Sequence, residues 1–345
     1  MNFSAWSLRI IVSQFLFLSF FSSEAFSQGG TVHNRSLMQD GILRSYLLYV
    51  PAAYTGQEEW PLVMHYHGFF LDGQRQMDYT QINVVADTAH FLIAYPNGLV
   101  VEDLIFNDVG TGWNVPGGYR ADHDDVSFTN SLIDHVASDF RIDPARIHAT
   151  GWSNGSEMAF YVACALSDRI ASVAGVSGGL TFSLLDSCQA GRPFSTMTIF
   201  GTDDPFYPFD GNNLIPPVPS TPSFWASQSK CSSDSVVTEP PDPVKEDSST
   251  VTVIEYVNCD SNAEVLFYRV NNGGHTWPGS IPVPGWEFLR NTNQDMNANS
   301  EILNFFKRNP HPEITTGIAV DNKNSPSTFW IHQNYPNPFN PTTTI

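Results

Sequence analysis

Five residues, Gly151-Trp152-Ser153-Asn154-Gly155, constrain this chain more than any other feature. They stand between an apolar run, Arg146–Thr150, and a stretch, Asn154–Leu166, that places Met158, Ala159, Val162 and Ala163 on one helical face. Glycine at both ends of so short a link permits a turn that a Cβ would block. The chain must therefore pass from strand to helix within a few residues, which is the geometry of a parallel sheet covered by helices. The flanking sequence repeats the theme. Apolar or β-rich runs at Arg44–Val50, Leu62–His67, Phe91–Tyr95, Ala171–Val176, Thr196–Phe200 and Glu264–Val270 read as strands, and Val126–Phe140 and Ser300–Arg308 read as helices. Asp124 and Asp125 precede the first of these helices, where they can cap it and oppose its dipole.

Composition narrows the classes. With 41% hydrophobic residues the chain can bury a core, so it is not a disordered chain. The 16 Lys+Arg against 35 Asp+Glu give a formal charge of −19, which argues against nucleic acid and against anionic membranes as partners and points to a neutral substrate. The two ends stand apart from the rest. Arg9, the apolar run Ile10–Phe21 and Ala25-Phe26-Ser27 read as an export signal over residues 1–27, too short to span a bilayer. Beyond Pro310 the composition turns to Pro, Asn, Thr and Ser, and Gln333–Ile345 resembles the opening of the C-terminal sorting domain of type IX secretion cargo. The secretion machinery is thus an expected partner at both ends, the expected location is extracellular or at the cell surface, and residues 310–345 read as a linker and a truncated sorting segment. Export makes an even set of cysteines legible: Cys164, Cys188, Cys231 and Cys259 allow three pairings. The sequence-local choice, Cys164–Cys188 with Cys231–Cys259, closes loops worth about 3 kcal/mol each.

The serine in the turn suggests chemistry. GxSxG between strand and helix is the arrangement that lifts a nucleophilic serine to the sheet's C-terminal edge. A serine hydroxyl needs a base, and the base needs an orienting acid, in the order Ser, acid, His. After the strand Thr196–Phe200 come Asp203 and Asp204, of which Asp204 stands where such a loop presents its acid and Asp203 is the runner-up. After Glu264–Val270 comes His275, the only histidine between Ser153 and the tail histidines His311 and His332. For the oxyanion, the N–H of Asn154 at the helix start and that of Phe69, after the strand ending His67-Gly68, are the expected donors. His65 and His67 at strand spacing could instead be read as metal ligands, but no third ligand is near; the Asp122–Asp125 cluster reads better as a cap than as a metal site. Trp113, Trp152, Trp225, Trp277 and Trp286 are candidates for the mouth. Of these Trp277, two residues past His275, is the first choice for substrate contact, with Trp113 and His67 beside it. Core packing is the better reading for Trp152 and Trp225. The stretch Pro216–Pro222 reads as a rigid loop over the cleft.

Residues from about Ile42 to Phe306 resemble the secreted esterase family that groups polyhydroxybutyrate depolymerases with feruloyl and acetyl-xylan esterases. The matching phrases are Pro61–Gly68, Gly112-Trp113-Asn114, Asp124–Phe128, Arg146–Gly155, Ala171–Gly178, Gly201–Pro208, Trp225 with Cys231, and Gly273–Gly279. The resemblance implies an α/β-hydrolase fold, a mostly parallel central sheet flanked by helices, over a catalytic domain at 35–309. It implies a triad of Ser153, Asp204 and His275, a Cys231–Cys259 bridge, no metal and no cofactor. Phe69-Phe70 and Ser156 depart from the small residues usual at those positions, which bears on the shape of the acyl pocket. The expected activity is hydrolysis of carboxylic esters, feruloyl or acetyl esters of plant polysaccharides first and polyhydroxybutyrate second, by a monomer. A secreted serine peptidase and a non-catalytic carbohydrate-binding module are the rivals.

Overall fold

The computed structural model describes residues 29–314; the expected export signal and the Gln333–Ile345 segment lie outside the described residues. The chain opens with two strands, β1 (Thr31–Gln39) and β2 (Ile42–Val50), then β3 (Trp60–Tyr66). Two short helices, α1 (Gly73–Thr80) and α2 (Ile82–Ala89), lead to β4 (Leu92–Pro96). Three small strands follow, β5 (Leu99–Asp103), β6 (Asp108–Gly112) and β7 (Tyr119–Arg120), before α3 (Asp125–Asp139). The central motif spans β8 (Ile142–Trp152) and α4 (Asn154–Ala165), succeeded by β9 (Ser172–Val176), α5 (Phe182–Ser187) and β10 (Ser195–Gly201). The remainder is α6 (Ser220–Gln228), β11 (Ser235–Thr238), β12 (Thr250–Tyr256), β13 (Val265–Asn271) and α7 (Ala298–Arg308).

Ten strands form one sheet in the order β1-β2-β4-β3-β8-β9-β10-β13-β12-β11. From β4 to β13 every pairing is parallel. Antiparallel pairs close both edges, β1 and β2 on one side and β12 and β11 on the other. The expectation of a mostly parallel sheet holds at its centre.

Alternation along the strands sorts two cores. Leu62 and Met64 of β3 join Phe128, Leu132, Met158 and Trp225 on one face, beneath α3, α4, α5 and α6. Val63, between them, faces Ile82, Ala86, Ile302 and Phe306, beneath α2 and α7. Both sides of β3 are apolar because helices cover both faces, as parallel sheets require. Each such side chain contributes about 1.5–3 kcal/mol by leaving water.

Three boundaries differ from expectation. Position 35 falls inside β1, a mostly exposed edge strand whose sequence lacks a buried face. At the other end, the His311 N–H donates to the Ala145 carbonyl at 2.7 Å and the ring packs at the Ser167 carbonyl, so the packed body runs past 309. The Pro-rich stretch is not all loop: Pro219 caps α6 and Pro222 sits in its first turn, where a missing N–H costs nothing. Asp124 accepts from the Val126 and Ser127 N–H groups as the cap of α3. Asp125 instead turns inward to a buried pair with Arg44 of β2 at 2.6 Å, the guanidinium lying 3.9 Å from the centre of the Phe128 ring.

Both disulfides of the sequence-local choice are present. Cys164–Cys188 ties the end of α4 to the end of α5, and Cys231–Cys259 ties the segment after α6 to that after β12.

Candidate active site

Ser153 links β8 to α4 with φ 58° and ψ −126°, a backbone conformation costly for any residue with a side chain. The tightness has a visible cause. A Cβ on Gly151 would run into the Gly155 carbonyl, and one on Gly155 into the Tyr66 and His67 carbonyls. The turn therefore needs glycine at both places, and Gly155 presses the start of α4 against the end of β3. The Ser153 N–H donates to the Val176 carbonyl of β9 at 2.9 Å, fixing the turn against its other neighbour.

Asp204 and His275 arrive from β10 and β13, adjacent parallel strands ending at the same sheet edge. The His275 ring Nδ1 lies 2.7 Å from Asp204 Oδ2, and both side chains are buried. Asp204 Oδ1 accepts from the N–H groups of Phe206 and Tyr207, at 2.8 and 2.9 Å, so the carboxylate cannot rotate away. The imidazole is walled by Trp152, Phe206 and Tyr207, with centroids at 5.2, 5.1 and 5.7 Å, the Tyr207 ring being parallel to it. With Nδ1 turned to Asp204, Nε2 is the nitrogen left to exchange a proton. Asp203 points away into a surface ion pair with Arg290. Of the two candidate acids the structure brings Asp204 to the histidine.

The end of β3 supplies the other wall. Gly68 packs against Trp152, and the Phe70 N–H is used by the Thr111 carbonyl at 2.8 Å. The preceding N–H, that of Phe69, has no acceptor among the described residues. Asn154 is the first residue of α4, so its N–H is one of the donors a helix start leaves unpaired. Its side chain clasps the Trp113 backbone, accepting from N–H at 2.7 Å and donating to the carbonyl at 3.2 Å. The buried Arg44–Asp125 pair reinforces this clasp, because Asp125 also accepts the Asn114 N–H at 2.8 Å. Ser156, another departure from the family pattern, donates to the Gly178 carbonyl at 2.7 Å and is satisfied.

Three expected substrate contacts are corrected. Trp277 and Trp113 are each 0% exposed. The Trp277 indole donates to Asn299 and its backbone N–H to the Tyr79 hydroxyl, each at 2.9 Å. The Trp113 indole donates to the His67 carbonyl at 2.8 Å, bracing the loop before Phe69. His67 is buried too, its Nε2 accepting from the Gly98 N–H at 2.9 Å, and burial pushes its pKa down to about 4. His65, whose pKa burial lowers to about 3, pairs with Gln76. The two histidines thus point to separate partners rather than to a common ligand. Trp152 and Trp225 are core residues, as read, while Trp286 is half-buried against Tyr79 and Trp152.

What the site exposes is phenylalanine. Phe70, Phe106 and Phe288 are about half exposed, and Phe206 bridges Phe106, Phe288 and the His275 ring. These four residues lie on four separate loops without a shared motif, so nothing local marked them. Tyr207 and Glu157 were also missed. Glu157 carried one signal, an acid on the inward face of an otherwise apolar helix turn.

Comparison with known proteins places the chain among esterases. The family described as Esterase PHB depolymerase matches residues 44–239. NocK of Nocardia uniformis subsp. tsuyamanensis, named as an esterase, is 30% identical over 72% of this chain and 75% of its own. Feruloyl esterase B of Piromyces equi is 28% identical over 72% of this chain, but the match spans only 45% of that longer protein. Among solved structures, acetyl xylan esterase from Aspergillus awamori superposes with a TM-score of 0.55 at 14% identity, covering 80% of this chain and 100% of that one. That likeness shows the α/β-hydrolase fold. By its sequence match and its fold, the chain belongs to the Esterase PHB depolymerase family of carboxylic ester hydrolases.

Proposed function

We propose that Ser153 is the nucleophile, His275 the general base and Asp204 its orienting acid in hydrolysis of a carboxylic ester. The observation that carries this is the buried Asp204–His275 hydrogen bond at the sheet edge that also bears the strained Ser153 turn. Ser153 Oγ attacks the ester carbonyl carbon while His275 Nε2 takes the hydroxyl proton. Asp204 accepts from Nδ1–H and stabilises the imidazolium without itself taking the proton. The N–H groups of Phe69 and Asn154 receive the tetrahedral oxyanion. Collapse breaks the ester C–O bond, and His275 returns its proton to the departing alcohol. Water, activated by the same histidine, then releases the acid and restores Ser153.

For the substrate, feruloyl or acetyl esters of plant polysaccharides are the first reading. It is supported by relatives named feruloyl esterase and acetylxylan esterase, and by exposed phenylalanines suited to an apolar or aromatic acyl group. Hydroxybutyrate polyester is the second, supported by the family's own description. Two disulfides and the export signal read at residues 1–27 support action outside the cell. Purified protein assayed on methyl ferulate, acetylated xylan and hydroxybutyrate polymer decides between them. Turnover of the first or second is expected; turnover of the polymer alone would overturn the preferred class.

A further inference from the structure

Glu157 lies one helical turn beyond Ser153 on the inward side of α4, and its side chain is buried. Its Oε1 accepts from the Tyr207 hydroxyl at 3.0 Å, and its Oε2 faces Asn154 Nδ2 at 3.5 Å. Both contacts lead into the site. Tyr207 donates its N–H to Asp204 and lies parallel to the His275 ring. Asn154 carries an expected oxyanion donor on its backbone and clasps Trp113 with its side chain. The carboxyl is thus a buried bridge between the acid loop and the oxyanion turn. No cation accompanies it among the described residues: the groups facing it are Tyr207 after β10, Tyr119 of β7 and Asp103 of β5, each an acid or a phenol. The space beside it, bounded by Leu180, Tyr207 and Val218, leaves about 20 Å³ for water, room for about one molecule rather than the full hydration shell of a carboxylate.

We propose that Glu157 is a positioning residue of this esterase site, holding the acid loop and the oxyanion turn in register as an uncharged carboxylic acid. The proposal rests on the reading of Ser153 as nucleophile. A buried carboxylate without a cation partner is costly, and a neutral acid is the form that burial selects. Burial raises its pKa to about 8, with Asp103 adding to the rise, against the lowering effect of the Tyr207 and Asn154 hydrogen bonds. The acid is therefore neutral below about pH 8 and charged above it. Once charged, it sits one turn from the serine and opposes the negative charge that develops on the oxyanion. Burial also holds the Tyr119 and Tyr207 hydroxyls well above the ordinary phenol range, so neither titrates in this window.

The test is kcat and KM on one soluble ester between pH 6 and 10, for wild type, E157Q, E157L and S153A. Wild-type kcat is expected to fall on the alkaline side around pH 8. E157Q keeps the neutral hydrogen-bonding shape, so it should stay within about threefold of wild type at pH 7 and lose the alkaline fall. E157L removes the bridge and should lower kcat about tenfold or more with KM little changed. If E157L fails to fold, the E157Q profile decides alone. An alkaline fall that persists unchanged in E157Q would overturn the proposal while leaving the nucleophile reading intact if S153A is dead. An active S153A would remove both.

Discussion

At the scale of single residues, the direction of the His275 ring depends on one oxygen of Asp204, the other being tied to two backbone N–H groups. Asp204→Asn preserves the second set through its amide oxygen and turns an NH2 toward Nδ1, which forces the wrong tautomer on the base. We expect kcat to fall by about 10³–10⁴ with KM within a few-fold, as orienting-acid substitutions do in serine hydrolases generally. Asp203→Asn, by contrast, loses a surface pair with Arg290 and should leave kcat within about twofold. Steady-state kinetics on both variants checks the assignment, and the reverse pattern would transfer the acid role to Asp203. At this scale the sequence was most informative where few residues of a type compete. His275 had no rival, and the GxSxG glycines have a steric purpose visible in the turn. It misled for Trp277, Trp113 and His67. Nearness in sequence to a catalytic motif says nothing about which way a large ring points, and all three turned inward to brace the loops they flank. The phenylalanine rim was silent because its members come from different loops, and Glu157 showed only as an acid on the inward side of α4.

The elements tell a similar story. Strands that run through the middle of the sheet, such as β3 and β10, are buried along their whole length, as is the second half of β8 from Ile147, and they announce themselves as apolar or β-rich runs. The small sheet of β6, β5 and β7 does not, since its strands are short, half-exposed and rich in glycine at β6. Yet it is this sheet that receives the Phe70 N–H and delivers Trp113 to Asn154. The helices α1 and α2 were missed because α1 is mostly polar and the pair is broken at Gln81, whose φ of 52° interrupts the periodicity. Cross-links between elements are more predictable. The Cys164–Cys188 bridge closes a loop of 24 residues. Replacing both by alanine should cost about 3 kcal/mol, or about 6–12 °C in Tm for a domain of this size. The kcat at 25 °C should stay within about twofold, because the bridge joins the far end of α4 rather than its catalytic start. A scanning calorimetry shift below about 2 °C would show that the loop is held by packing alone.

For the whole molecule, the parallel centre of the sheet gathers the ends of β3, β8, β10 and β13 on one edge, and every expected catalytic group stands on the loops that leave it. Helices on both faces make that edge rigid, which lets one strained turn persist where chemistry needs it. The net charge of −19 keeps such a surface soluble and is indifferent to a neutral ester. The central claim is that one serine does the chemistry, and a fluorophosphonate probe tests it most directly. Peptide mapping of the labelled protein should place the probe on Ser153, with S153A unlabelled and its ester hydrolysis reduced by about 10³-fold or more. A label on another residue, or hydrolysis by S153A within about tenfold of wild type, would contradict the account.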